Sequence, residues 1–304
     1  LVYPLVHRHN EGNKRVIDRE LEYLLDELNE KPTFYVNAGT YLSQKNAFDE
    51  ALIIFIKGRK FFNNEFLYLD EMVQIYKRQG KEKEIILESI SYLEKYPTEI
   101  EQIQNILQTN LDNEEDFQIL EDNLYKRIQK SPNDVQYNEL LYWMYVQKKN
   151  FTRALIQAKA IDKRKNSNGS MLISLGKIAL ENKKFEDAIV IFKAVTYEYK
   201  GGDSYDVAVK NIIFSKEELI KKKYPVDRNE VMSLSNEYRK LVIESKGKNN
   251  SVEPLRRWAM LEALYLDNRD TAIVLLNESI KNSANDANAR DLSKMDLADI
   301  FVYN

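Results

Sequence analysis

The chain contains no cysteine in its 304 residues. That excludes disulfides, thiolate nucleophiles and zinc–thiolate sites, while leaving the compartment open. Histidine is nearly as scarce, with only His7 and His9 in the segment His7-Arg8-His9-Asn10. An H-x-H pair can hold a metal, but no third ligand stands at a suitable spacing, so no metal site is expected. Residues 10–304 therefore lack the base on which Ser–His and Cys–His catalysis depend. Nine glycines and six prolines are too few for the many tight turns of an all-β protein. No glycine-rich phosphate loop occurs, and no cofactor is expected. No apolar run approaches the ~20 residues that cross a bilayer, so no transmembrane segment is expected in this stretch.

An excess of one charge is also missing. Lysine and arginine number 45 against 48 aspartates and glutamates, giving a net charge of −3. The two signs interleave along the chain, unlike the one-sided basic footprint of a nucleic-acid binder. The densest basic run, Lys221-Lys222-Lys223, follows Glu217 and Glu218 and reads as a solvated helix end. The acidic run Glu114-Glu115-Asp116 reads as a helix start, where negative charge meets the positive end of the helix dipole. Leu1-Val2-Tyr3-Pro4-Leu5-Val6 is too short for a signal peptide, and the apolar end Asp299–Asn304 carries no helix stop signal. Both ends read as cut, as expected of an internal fragment of a longer protein.

What is present is helix-forming material with a fixed period. Hydrophobic residues make up 43% and charged residues 31%, with long runs of Glu, Lys, Leu, Ile and Ala. Small or aliphatic residues recur at Ala51, Ile85, Leu120, Ala154 and Ala188, with gaps of 34 or 35. Three positions earlier stand Phe48, Glu82, Phe117, Phe151 and Phe185; four positions later stand Phe55, Ser89, Leu124, Ala158 and Phe192. Ala38-Gly39 and Leu175-Gly176 mark equivalent places on preceding helices, where a missing side chain lets two helices approach closely. Pro97 and Pro132 stop the second helix of their units.

A period of this length, read as helix, turn, helix, resembles the tetratricopeptide repeat. The resemblance is strongest over residues 32–200, with its best units at Thr33–Asn64 and Gly169–Lys200. The implied fold is all-α, an α-α superhelix of antiparallel helix pairs with at least twelve helices. A leading helix over 1–31 carries the apolar stripe Val16, Ile17, Leu21, Leu24, Leu25 and Leu28. Five units follow over 32–200, the third degenerate on its first helix. An irregular longer pair occupies 201–252, ending in the linker Lys246–Ser251. A further pair and a truncated first helix fill 253–304.

The stretch Asn105–Arg164 is similar to a more particular family: long tetratricopeptide proteins, about twice this length, from Gram-negative bacteria rich in outer-membrane systems. The residues that carry the likeness are Glu114-Glu115-Asp116-Phe117, Tyr125–Pro132 and Gln157-Ala158-Lys159-Ala160. Leu264–Leu276 and Leu297–Ile300 extend it. It implies continuation past Asn304, an export signal upstream, and a periplasmic or envelope location.

In stacked pairs the first helices line the concave face. The expected partner site is one groove between about Asp70 and Lys177, carrying Asp70, Gln74, Lys77, Arg78, Asn105, Glu139, Trp143 and Lys177. Its mixed polar groups around one large aromatic suit an extended peptide or partner helix. The chaperone-tail clamp of this repeat class needs Lys and Asn where Val36 and Thr40 stand, so that ligand is disfavoured. The reading is a non-catalytic scaffold that binds a protein or peptide. Two others stand beside it: a cytoplasmic sensor module of a larger signalling protein, and an accessory subunit of an enzyme.

Overall fold

The computed structural model describes Val2 and residues 14–27, 31–245 and 248–302; His7, His9 and Leu28 lie outside them. Among the described residues there are sixteen helices and no strand, so the all-α expectation holds. In chain order they are α1 (Lys14–Glu27), α2 (Pro32–Gln44), α3 (Phe48–Phe61), α4 (Leu69–Gln79), α5 (Glu82–Lys95), α6 (Ile100–Asn110), α7 (Glu114–Lys130) and α8 (Val135–Gln147). Then come α9 (Phe151–Lys165), α10 (Ser170–Glu181), α11 (Phe185–Glu198), α12 (Asp203–Lys221), α13 (Arg228–Glu244), α14 (Lys248–Tyr265), α15 (Arg269–Asn282) and α16 (Ala287–Val302). Neighbours in sequence pack together, and helices two apart touch as well, as in α2 with α4 and α14 with α16. The chain divides into two compact units, residues 1–140 and 141–304, with the division inside α8.

The expected close approach is present. A Cβ built on Gly39 would stand 2.4 Å from Cζ of Phe55, and one on Gly176 would stand 2.4 Å from Cε1 of Phe192. Both rings are fully buried, so neither can swing away. Each fills the space its glycine vacates, and burying such a ring contributes about 1.5–3 kcal/mol. In the next pair of the first unit the bulk is reversed. Val73 stands where the glycine stood and Ser89 where the phenylalanine stood, and both are buried. Relative to the Gly39/Phe55 and Gly176/Phe192 contacts, this pair exchanges large for small across the two helices, which conserves packed volume.

A second recurrent feature escaped the sequence reading. The turn from first to second helix holds one left-handed residue in most pairs: Asn46 (φ 64), Gly80 (φ 65), Lys149 (φ 53), Lys183 (φ 57) and Asp267 (φ 62). Residue types differ so widely that no motif marks the position. The degenerate third pair departs here too, leaving α6 through an extended Leu111 (φ −105, ψ 119). Gly58 was also missed; a Cβ there would lie 2.7 Å from Tyr68 and 2.8 Å from Tyr35.

The expected linker is shorter than it was read. Lys248–Ser251 belong to α14, Ser251 is buried, and Asn282 donates to its hydroxyl at 3.1 Å. Pro254, the seventh residue of α14, lies inside the helix and removes one amide donor from it. The long pair α12/α13 is held by a buried carboxylate. Glu217, 2% exposed, accepts from the Tyr238 hydroxyl and pairs with Lys221 and with Arg257 at 3.3 Å. Burial, then the Glu217 charge, pushes the Tyr238 phenol far above its usual range.

Two outcomes test this packing. Gly176→Ala should lower stability by about 1–3 kcal/mol, because a single methyl overlaps the Phe192 ring. Lys177→Ala, exposed on the next residue, should change stability by less than about 0.5 kcal/mol; paired thermal melts compare the two. Lys183→Gly should raise the melting temperature, by up to about 1–2 kcal/mol in stability, because it removes a Cβ from a left-handed position.

Candidate partner-binding surfaces

Within the first unit the first helices α2, α4 and α6 are tied to one another by side chains. Lys77 donates from Nζ to the Thr109 carbonyl at 2.7 Å, joining α4 to α6. Arg78 donates to the Ser43 carbonyl at 2.7 Å and to Oδ1 of Asn46 at 2.9 Å, joining α4 to the end of α2. Its guanidinium also lies 4.8 Å over the Phe48 ring. Both cations meet carbonyls at a helix C-terminus, where the dipole favours positive charge. Asp70, Gln74 and Asn105 are exposed on the same helices, and Glu139 on α8 is half-buried. The second helices are tied separately, Arg59 of α3 to Glu88 of α5 at 3.0 Å and Arg127 of α7 to Glu94 of α5 at 3.7 Å.

The second unit holds the other expected residues. Trp143 on α8 is half-buried and Lys177 on α10 is exposed. Asp162, 1% exposed at the end of α9, accepts from the amides of Gly169 at 2.9 Å and Met171 at 3.0 Å. It also accepts from the Tyr199 hydroxyl at 2.5 Å, and so caps α10 and fixes where that helix starts. Burial, then this hydrogen bond, raises the Tyr199 phenol. Trp258, the second tryptophan, donates to Ser235 and Glu262, each at 2.9 Å, and serves packing. The second helices of this unit expose the aliphatic side chains Ile156, Val190, Met232, Ile243 and Val274. Scattered singly along four helices, these are ordinary surface residues.

The lysine run at the end of α12 is spoken for. Lys221 pairs with Glu217 and Glu218, Lys222 lies 4.5 Å over the Phe185 ring, and Lys223 meets Glu230 at 2.6 Å. Among the described residues no group of three His, Cys, Asp or Glu is placed to hold a metal, and no helix is long and apolar enough to cross a membrane.

First and second helices alternate, and the glycine under a buried phenylalanine recurs at the same place of two separate pairs, with the same left-handed turn between their helices. Pairs built in this way resemble the tetratricopeptide repeat. No protein-family model matches the sequence of these repeats, and no curated protein does. Two solved structures are similar over most of the chain. One is a tetratricopeptide repeat protein from Parabacteroides merdae, 12% identical, covering 88% of this chain and 98% of that one with a TM-score of 0.34. The other is the C-terminal part of a TPR repeat-containing protein from Cytophaga hutchinsonii, 14% identical, covering 84% and 98% with a TM-score of 0.37.

The acidic run Glu114-Glu115-Asp116 opens α7, as expected, and its last member is buried. Asp116 is buried, with its amide donating to Oδ1 of Asn113 at 2.9 Å, and its Oδ2 has no hydrogen-bond partner. Burial, then the Glu82 charge, raises its carboxyl above the usual 3.8. A raised folded pKa means that the protonated form favours the fold. That contribution is complete below the ordinary aspartate value and is lost as pH rises through the folded one. Asp116→Asn should therefore gain stability relative to the parent between about pH 4 and pH 7, which melts at both values measure.

Proposed function

We propose that the repeats form a non-catalytic scaffold whose first-helix faces bind a protein or peptide partner. The observation that carries this reading is the division of labour on α4. Residues that join one repeat to the next, Lys77 and Arg78, are bonded to backbone of neighbouring pairs. Asp70, Gln74 and Asn105 are exposed beside them. Of these three, Asp70 and Gln74 make no side-chain hydrogen bond or ion pair with another described residue. A row of polar side chains on rigid helices, tied together beneath, is a surface that can hold an extended chain without rearranging. In the second unit the corresponding residues are Trp143, half-buried on α8, and Lys177, exposed on α10. Trp143 is the anchor there, since a half-buried tryptophan offers a large contact area with little entropy left to lose. An envelope location rests on the likeness of Asn105–Arg164 to exported repeat proteins.

Photo-crosslinking in the cells of origin tests the assignment. A benzoylphenylalanine at Gln74, and separately at Lys177, should capture the same protein, identified by mass spectrometry. The probe at Ile156, on a second helix, should capture none. Trp143→Ala should reduce capture from Lys177 by about tenfold or more, the range of a binding hot spot, with helicity unchanged. Capture from Ile156 alone would put the partner on the outer helices instead.

A further inference from the structure

One place in the chain joins an asparagine to a following glycine, Asn168-Gly169 in the turn from α9 to α10. The fold dictates the glycine. Gly169 has φ 86, and a Cβ there would stand 2.9 Å from Cδ2 of Tyr199 and 3.2 Å from Cβ of Ser204. A side chain at this position would meet both strain and overlap. Asn168, itself left-handed at φ 50, is exposed, whereas Gly169 is buried. An asparagine before glycine is the pairing most open to attack by its own backbone, because no Cβ shields the nitrogen that follows.

The peptide unit between these residues is clamped on both sides. Its carbonyl, that of Asn168, accepts from Oγ of Ser204 at 2.7 Å, and its N–H, that of Gly169, donates to Oδ2 of Asp162 at 2.9 Å. Asp162 belongs to α9 and Ser204 to α12, so the unit turns freely only when these helices part locally.

We propose that Asn168 is a spontaneous modification site that this clamp holds shut, and that its reaction makes an opening of the α9–α10 junction permanent. The Gly169 nitrogen gives its proton to hydroxide and adds to the side-chain carbonyl carbon of Asn168. A carbon–nitrogen bond forms, the bond to the side-chain nitrogen breaks, and ammonia leaves a five-membered succinimide. Water opens that ring to an aspartate or to a β-aspartyl link, in which the main chain is one carbon longer. The fold opposes the first step twice. Presenting the nitrogen to the side chain requires the peptide plane to rotate, which breaks both hydrogen bonds. Removing the proton also sets a negative charge against the carboxylate of Asp162, which is 1% exposed. After a β-aspartyl link has formed, the added carbon takes the Gly169 and Met171 amides out of register with Asp162, and the junction does not close as before.

Mass spectrometry of the tryptic peptide Asn166–Lys177 follows the site, by a gain of one dalton at residue 168 and by separation of the β-aspartyl form. In mildly alkaline buffer, well below melting, the folded protein should react far more slowly than the synthetic peptide Asn166–Lys177. Asp162→Asn should raise the folded rate about fivefold or more, since a neutral hydrogen bond replaces a charge-assisted one. Ser204→Ala should raise it about threefold or more, the scale of one lost neutral hydrogen bond. That variant leaves Asp162 in place and carries the same test should Asp162→Asn fail to fold. Leu276→Ala, a core truncation on α15 away from the clamp, should leave the rate near that of the parent. The purified β-aspartyl form should melt below the parent. A folded rate equal to that of the peptide, no rise in the clamp variants, an equal rise in Leu276→Ala, or unchanged melting of the β-aspartyl form would overturn the proposal.

Discussion

The distance between the two helices of a pair is the constraint on which the remaining structure depends. At Gly39 and at Gly176 the opposing phenylalanine occupies the volume of a missing side chain, so the helix contact and the core are one feature. Because every repeat must bury its faces against the next, an error in that spacing would pass into both neighbours. The Val73 and Ser89 pair shows that the requirement is volume and not residue type. Either helix can supply the bulk, provided the other recedes.

Polar groups then fix what apolar packing leaves free. Helix pairs of similar apolar faces could slide or rotate by a fraction of a turn at little cost. A buried carboxylate with several donors resists that, since any slip leaves a desolvated charge without partners. Asp162 anchors the start of α10 in this way, Glu217 ties α12 to α13 and α14, and Glu262 ties α14 to its turn and to α13. On the first-helix side of the first unit, Lys77 and Arg78 perform the same service from the surface. Two residues that read as recognition groups in sequence thus also belong to the framework.

The repeat was legible because close packing admits few residue types. Only glycine fits under the Phe55 and Phe192 rings, and alanine or a branched aliphatic fits at the facing position, so period and pairing could be counted along the chain. The left-handed turn residue was not legible. Its conformation is imposed by the two helices it joins, and Asn, Gly, Lys and Asp all submit to it. Burial of Asp116 was hidden for a related reason, since a run of three acidic residues at a helix start looks alike whether its last member faces solvent or a neighbouring helix. The linker before α14 was overread because Gly, Asn and Ser are turn residues by local preference, while contacts with Asn282 draw Ser251 into a helix.

The amino-acid sequence by itself determined the fold class, the alternation of first and second helices, and where most helices stop. These follow from local volume and backbone propensity, which neighbours in sequence already specify. It also determined which chemistries have no residues to carry them. The tertiary structure alone decided which charged groups are committed and which are available. Lys77, Arg78, Lys222 and Lys223 look like free cations in a list of residues, yet each has a partner from another helix or turn, and Lys221 is paired within its own helix. Electrostatic pairing depends on distances of a few ångströms between residues far apart in the chain, and only the packing of the helices sets those distances.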